Sequence, residues 1–410
     1  MRRYFQNLSN YQEKMMNKSN YLELKIYKDL YSDQSAIKNA YGIPYLSKQD
    51  IVRGFPLNFM NEHLKQLIEE DKVEYTTTSG TTADRMQIIR NRGWWRKEYE
   101  RTYKNNPLLQ KVISDNMPKA ILTTAICSNT VCYLNTPSYE ERIINGTLYL
   151  NYQHNPWDWS KAEILQIMEE MERFNVYYLD VDPIYFYVFL KKIEEYNITK
   201  KLHQPQVITL SYEYSPQNIT SYIKKVMSCP VLDLYGTTEF GYVFLTNKNG
   251  DLALCPDMLE VDFIPIENSE NLYELVVSSV KNEHMPLINY RMGDIVEMDK
   301  RQYDNFRNNG TIKRIAGRTK SIIRNCNKVI VTATIDDIIG KHKDIALYQL
   351  NILGNQKDNI KIVPFHKWDL IDADLQCMKQ ELQDLLGTEV FVSVSETIVP
   401  ELSGKFALIK

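Results

Sequence analysis

Up to about Asp251 the sequence alternates short apolar runs with amphipathic stretches, and few architectures accept that alternation. Residues 73–78, 120–125, 176–179, 206–210 and 231–235 read as short buried strands bounded by polar residues. Between them, the stretch 161–174 places Ile164, Leu165, Ile167, Met168, Met171 and Phe174 on one face at helical spacing. The stretch 218–227 does the same with Ile219, Tyr222, Ile223 and Val226. Helix after strand after helix argues for an α/β core with a largely parallel sheet, because a crossover helix brings the chain back to the same end of the sheet.

After Asp251 the pattern changes. Residues 259–263, 272–277, 295–298 and 311–315 read as strands with turns and little helix between them, which predicts an antiparallel, barrel-like subdomain. Beyond Arg318 the chain reads as a small α+β unit, with helices near 334–341 and 372–386. A chain of 410 residues exceeds one ordinary core, so two domains are expected. The expected fold class is therefore α/β, with residues 1–319 forming a large N-terminal domain of mixed and parallel sheets plus the barrel-like subdomain. Residues 320–410 form the small C-terminal α+β domain.

A formal net charge of −3 gives no basis for binding nucleic acid or an anionic membrane. Two arginines open the sequence with no apolar run behind them, which argues against a secretory leader, and no stretch approaches a spanning helix. The six cysteines, Cys127 and Cys132 among them, form no C-x-x-C pair, which makes zinc a poor expectation and reduced thiols in a cytoplasmic protein the natural one.

Five short segments carry chemistry. Tyr75-Thr76-Thr77-Thr78-Ser79-Gly80-Thr81-Thr82 follows a predicted strand, where a glycine lets successive N–H groups curl toward phosphate oxygens and hydroxyls add donors. The Walker spacing is absent, and the same residues also suit a solvated turn. Leu234-Tyr235-Gly236-Thr237-Thr238-Glu239 ends another strand, offering an aromatic ring, hydroxyls and one carboxylate. That segment reads equally as a turn opening a helix. Ile288-Asn289-Tyr290-Arg291-Met292-Gly293-Asp294 sets a carboxylate after a tight glycine turn, suited to a ribose diol, and Ala316-Gly317-Arg318-Thr319-Lys320 offers an arginine for a sugar or phosphate. Each is also a common structural tetrapeptide. Val399-Pro400-Glu401-Leu402-Ser403-Gly404-Lys405 places a lysine on a glycine turn near the C-terminus.

In this order and at these separations, the segments resemble the acyl-adenylate-forming superfamily, and within it the phenylacetate-CoA ligase-like branch. The segment 43–51, the helix 161–174 with Asp182-Pro183 behind it, and 273–294 resemble the same branch. The resemblance implies ATP-dependent activation of a carboxylic acid to an acyl-adenylate, with release of pyrophosphate and transfer to a thiol such as coenzyme A. It implies that Ser79, Gly80, Thr81 and Thr82 cradle the ATP phosphates. Tyr235 would stack on adenine beside Gly236 and Thr237, with Ser211, Tyr212 and Glu213 on the other side. Thr238 would contact the α-phosphate and Glu239 would hold magnesium. Asp294, with Arg318, would bind the ribose, and Lys405 would bridge carboxylate and α-phosphate. The acyl pocket would draw on Thr124, Ala125, Tyr133 and Tyr212, an apolar and aromatic lining that favours a planar acid. The small C-terminal domain would be mobile about Lys320, and the family's habit allows a homodimer.

Four residues depart from the family pattern. Ala83 and Asp84 continue the phosphate loop where Gly and a small residue are usual, Lys320 stands at a hinge position that is commonly Asp, and Asn325 replaces a glycine beside the thiol tunnel. Two other readings follow: an adenylating enzyme that loads an acyl carrier protein or an amine, and a nucleotide-binding regulatory protein without turnover.

Overall fold

The computed structural model describes residues 21–39, 42–78, 85–125, 137–255, 259–354, 357–366 and 372–410. Ser79, Gly80, Thr81, Thr82, Ala83, Asp84, Cys127, Cys132 and Tyr133 lie outside the described residues. Residues 73–78 do form a strand, but it stands apart from the main sheet. β1 (Val73–Thr77) pairs antiparallel with β2 (Gln87–Asn91) in a two-stranded hairpin. Only Val73 of β1 is buried, so it lacks the continuous apolar run of a strand covered on both faces.

The main sheet is built on β3 (Lys119–Leu122), β4 (Ile143–Ile144), β5 (Thr147–Tyr149), β6 (Tyr178–Val181), β7 (Val207–Leu210), β8 (Val231–Thr237), β9 (Gly241–Thr246) and β10 (Leu252–Leu254), with β14 (Thr311–Ile312) joining its edge. Their order is β14-β10-β9-β8-β7-β6-β3-β5-β4. β5, β3, β6, β7 and β8 are parallel neighbours, while β4, β9, β10 and β14 are antiparallel additions. Every residue of β3, β6 and β7 is buried, as expected where helices cover both faces.

The expected helices are present. α1 (Lys48–Gly54) and α2 (Lys161–Arg173) both open on a capping box, Ser47 with Asp50 and Ser160 with Glu163. On α2, Ile164, Ile167, Met168 and Met171 are buried on the predicted face. α3 (Pro183–Glu195) begins with a proline behind Asp182, whose side chain accepts from the Ile184 and Tyr185 N–H groups at 3.0 and 3.2 Å. Its residues 183–190 are all buried, which makes it the central helix. α4 (Gln217–Val226) buries Asn218, Ile219 and Ile223.

The antiparallel subdomain comprises β11 (Leu259–Pro265), β12 (Leu272–Ser279), β13 (Leu287–Glu297) and β15 (Arg314–Arg318), ordered β11-β12-β13-β15. Among the described residues β11 and β15 do not pair, so the expected barrel-like unit is an open sheet. β13 is much longer than the predicted 295–298 and runs through the whole Tyr290–Asp294 motif. α5 (Lys300–Asn309), opened by an Asp299–Gln302 capping box, occupies a stretch expected to hold little helix.

The C-terminal unit holds the hairpin β16 (Ile323–Asn325) and β17 (Lys328–Ile330), then α6 (Thr332–Ile339), β18 (Ile345–Asn351), β19 (Lys357–Pro364), α7 (Asp372–Leu386) and β20 (Glu389–Val394). β18, β19 and β20 form a three-stranded sheet. The last residues pin themselves to β18, with Leu350 N–H donating to Leu408 O and Ile352 N–H to Lys410 O, each at 2.8 Å. The unit docks on α3 and α4. Asn218 Nδ2 donates to the carbonyls of Ile339, His342 and Ile345 at 3.1, 3.0 and 2.8 Å. The Phe365 ring packs 5.6 Å from Tyr187 and 5.1 Å from Tyr222.

Candidate active site

The carboxyl ends of parallel strands are where an open α/β sheet leaves room for a ligand. Here β7 leads into Tyr212 and Glu213, and β8 ends on Tyr235, Gly236 and Thr237. These residues, with Thr78, Thr238, Glu239, Asp294, Arg318, Lys320 and Lys405, line one pocket of about 920 Å³. Residues scattered from the β1 hairpin to the C-terminus thus converge on one cavity.

The Tyr235–Glu239 segment is the end of β8 and the turn of a β8–β9 hairpin, not the start of a helix. Gly236 is required there, since an added methyl would come within 2.9 Å of both Gly241 O and Tyr242 Cδ1. Thr237 Oγ1 accepts from Phe240 N–H at 3.2 Å and closes the turn. Asp294 likewise follows no turn. It lies within β13, just after Gly293 at φ 72°, where the register against β12 shifts between Glu274 and Val276. A bulge re-aims a side chain without ending the strand. The Tyr235 hydroxyl donates to Asp294 Oδ2 at 2.6 Å, and Arg318, its pairing partner on β15, brings Nε to 3.2 Å of Oδ1. Burial, reinforced by that carboxylate, pushes the Tyr235 phenol well above its usual range and keeps it a donor.

Burial also raises the Glu239 carboxyl, and Asp294 adds repulsion, while Lys48 and the Thr237 hydroxyl oppose the shift. Lys405 enters from the opposite side, its Nζ donating to Tyr212 O at 2.6 Å. Tyr212 is in the left-handed region at φ 76°, which a bulky side chain adopts only under constraint. Next to it, Glu213 Oε2 accepts from Phe406 N–H at 2.8 Å. Gly404 packs on Thr124, and a methyl on Gly404 would lie 2.6 Å from Thr124 Cβ.

Three expected residues are not at the pocket. Ser211 is buried and donates to Asp180 Oδ1 at 2.7 Å, away from the cavity lining. Thr124 and Ala125 are buried and outside the cavity lining, Thr124 against Gly404. Lys320 is at the rim, in the short 3₁₀ turn Thr319–Ser321 after β15. Sequence reasoning missed Lys48, in the first turn of α1, although the segment 43–51 and its Ser47–Asp50 capping box were the available signals. It also missed the lining pair Arg291 and Glu274, joined by bonds of 2.9 and 2.6 Å.

No family model matches the chain. CapK of Staphylococcus aureus is 34% identical over 112 residues, a stretch that spans 27% of this chain and 24% of CapK. Among solved structures, 2-hydroxyisobutyryl-CoA ligase in its postadenylation state, in complex with R3-HIB-AMP, superposes with a TM-score of 0.67 at 11% identity, covering 95% of this chain and 86% of that one. An open conformation of the same ligase, with 2-HIB-AMP and CoA, gives 0.56 over 97% and 90%. The o-succinylbenzoate CoA synthetase of Bacillus subtilis, in complex with ATP and magnesium ion, gives 0.54 at 13% identity over 82% and 68%. At these identities the likeness is one of architecture, and the chain has the fold of the acyl-adenylate-forming ligases.

Proposed function

We propose that this protein is an ATP-dependent adenylate-forming ligase that activates a carboxylic acid, an aromatic one by preference, as an acyl-AMP. The observation that carries this reading is Lys405, delivered from the C-terminal unit into a pocket whose far wall is Tyr235, Glu239, Asp294 and Arg318. A nucleotide-binding module has little use for a lysine brought so far along the chain. A carboxylate attacking the α-phosphorus of ATP builds negative charge on the phosphoryl oxygens, and a positive group fixed in advance stabilises it.

In this reading Tyr235 stacks on adenine and Asp294, oriented by its phenol and guanidinium partners, accepts the ribose hydroxyls. Thr238 contacts the α-phosphate, and Ser79, Gly80, Thr81 and Thr82 are assigned to the ATP phosphates by their residue types alone. Glu239 fits magnesium, since a desolvated carboxylate with a raised pKa gains most from a neighbouring cation. Bound there, magnesium would supply positive charge beside the phosphate oxygens. Tyr212 and Tyr290 line the same cavity and favour a planar acid.

The acyl group then passes to a thiol such as coenzyme A. A carrier protein or amine acceptor is favoured by one observation. Asn325, where the resemblance places a glycine beside the thiol tunnel, is held by a 2.9 Å bond from Nδ2 to Leu385 O and crowds Gly387. The test is ATP–pyrophosphate exchange across aromatic, heteroaromatic, aliphatic and amino acids, followed by discharge to coenzyme A, phosphopantetheinyl carrier or hydroxylamine. Exchange driven by one acid and lost in Lys405→Ala establishes the activity. ATP binding with no exchange for any acid would replace it with the regulatory reading.

A further inference from the structure

Among the described residues, the buried carboxyl oxygens Asp182 Oδ2, behind the pocket, and Glu213 Oε1, on its lining, lack a donor. Their carboxyl groups are hydrogen-bonded to each other. Two carboxylates are acceptors only, so this contact requires a proton between them. Each partner's other oxygen grips a different element. Asp182 Oδ1 caps α3 through Ile184 and Tyr185, and Glu213 Oε2 takes the Phe406 N–H at 2.8 Å. The Tyr185 hydroxyl, in the α3 turn so capped, is 3.0 Å from Gly404 O and 2.6 Å from His154 O. Both arms therefore end on the turn that carries Lys405.

We infer that Asp182 is a positioning residue for Lys405: by sharing one proton with Glu213, it holds the 404–406 turn seated in the pocket. The inference rests on the adenylation reading. The shared proton also sets the local charge. With one proton the pair carries a single negative charge opposite the Lys405 ammonium. With none, two buried negative charges repel each other and draw the ammonium back from the reacting phosphate.

The groups facing the pair are few. Lys405 is the cation, and it opposes the shift of both carboxyls. Tyr212, pushed well above the ordinary phenol range by burial, stays neutral. Burial lifts Asp182 to about 6, and burial followed by repulsion from Asp182 lifts Glu213 well above the carboxylate range. Because Glu213 is the higher of the two, the pair keeps one proton at neutral pH, after the first has left, and loses it as pH rises past the Glu213 value. Seating of Lys405 should therefore fail on the alkaline side.

Asp182→Asn tests this directly. Asn keeps the Oδ1 acceptor for the α3 cap and supplies its own N–H to Glu213, so no proton is needed. Adenylation by the intact protein should show an alkaline limb that Asp182→Asn lacks, with rates at neutral pH within about twofold of each other. Asp182→Ala should lose about 10-fold to 100-fold, the cost of a misplaced catalytic group. Hydrogen exchange at the Phe406 amide, corrected for intrinsic rate, gives a readout free of any substrate. Its protection should fall with rising pH in the native chain, persist in Asp182→Asn and be absent in Asp182→Ala. An unchanged alkaline limb and unchanged Phe406 behaviour in Asp182→Asn would overturn the inference, even if Asp182→Ala does not fold. If no acid supports exchange, the adenylation reading fails, while the Phe406 amide still decides whether Asp182 seats the turn.

Discussion

The ammonium nitrogen of Lys405 lies 2.6 Å from the carbonyl oxygen of Tyr212, a residue held at φ 76°. One residue ends a strand of the parallel sheet and the other sits on the last turn of the chain, so their contact closes the pocket. The C-terminal unit thus reaches the pocket through this lysine.

Lys405→Ala should lower ATP–pyrophosphate exchange by about 10²–10³, or roughly 3–4 kcal/mol of transition-state stabilisation. Its melting temperature should fall at neutral pH and recover on acidification, because the ammonium is the cation facing the buried Asp182–Glu213 pair. Exchange within a few-fold of the native rate would remove Lys405 from the reaction.

Gly404→Ala should be nearly as damaging, for a steric reason. The new methyl would overlap Thr124, at a φ of 78° that already disfavours alanine. The turn can then no longer seat. Adding Thr124→Gly removes the clash but not the backbone strain, so the double variant should recover part of the lost exchange. A single variant with native exchange would contradict the packing.

Asp294→Ala should weaken ATP binding by about 10- to 150-fold, since hydrogen bonds to a charged group contribute about 1.5–3 kcal/mol. Tyr235→Phe should fall between that and the native protein, because Arg318 still holds Oδ1 at 3.2 Å. Calorimetric titration with ATP orders the three. Equal affinity in all of them would free Asp294 from the ribose role.

Glu239→Gln should abolish magnesium-dependent exchange while stabilising the ligand-free protein. The folded carboxyl is raised above its unfolded value, so ionising it works against the fold. That cost is absent at pH below the ordinary carboxylate range and grows as pH rises through the folded value. The melting-temperature advantage of Glu239→Gln should therefore be present at neutral pH and shrink on acidification. A pH-independent difference would contradict a buried, raised Glu239.

Lys320→Pro should stiffen the turn between β15 and the C-terminal unit. If the unit rotates there between half-reactions, adenylation survives and acyl transfer to the thiol is blocked. Loss of both steps in equal measure would count against a hinge at this position.

Much of this was legible before any coordinates. Strand and helix periodicity located the parallel core, because residues buried on both faces must be apolar throughout, as in β6 and β7. The capping boxes at Ser160 and Asp299 and the Asp182-Pro183 pair were further local signals of helix starts that the sequence reading did not use, which is why the helix after Asp299 was not expected. The five motifs were readable as sequence because each needs particular residue types over a few positions.

Long-range pairing was not legible, since it depends on partners far along the chain. Nothing local in 73–78 says that the strand pairs with 87–91 and leaves the parallel sheet to others. Nothing in Gly293-Asp294 distinguishes a turn from a bulge inside an eleven-residue strand, because β12 and β15 decide it by pairing on either side. Ser211 carries the expected residue type, yet the neighbouring Asp180 takes its hydroxyl inward. The sequence by itself determined which residue types the site has to work with and the class of fold that presents them. The tertiary structure alone decided which of them meet, down to the proton-sharing contact of Asp182 with Glu213, because burial and charge act through space and not along the chain.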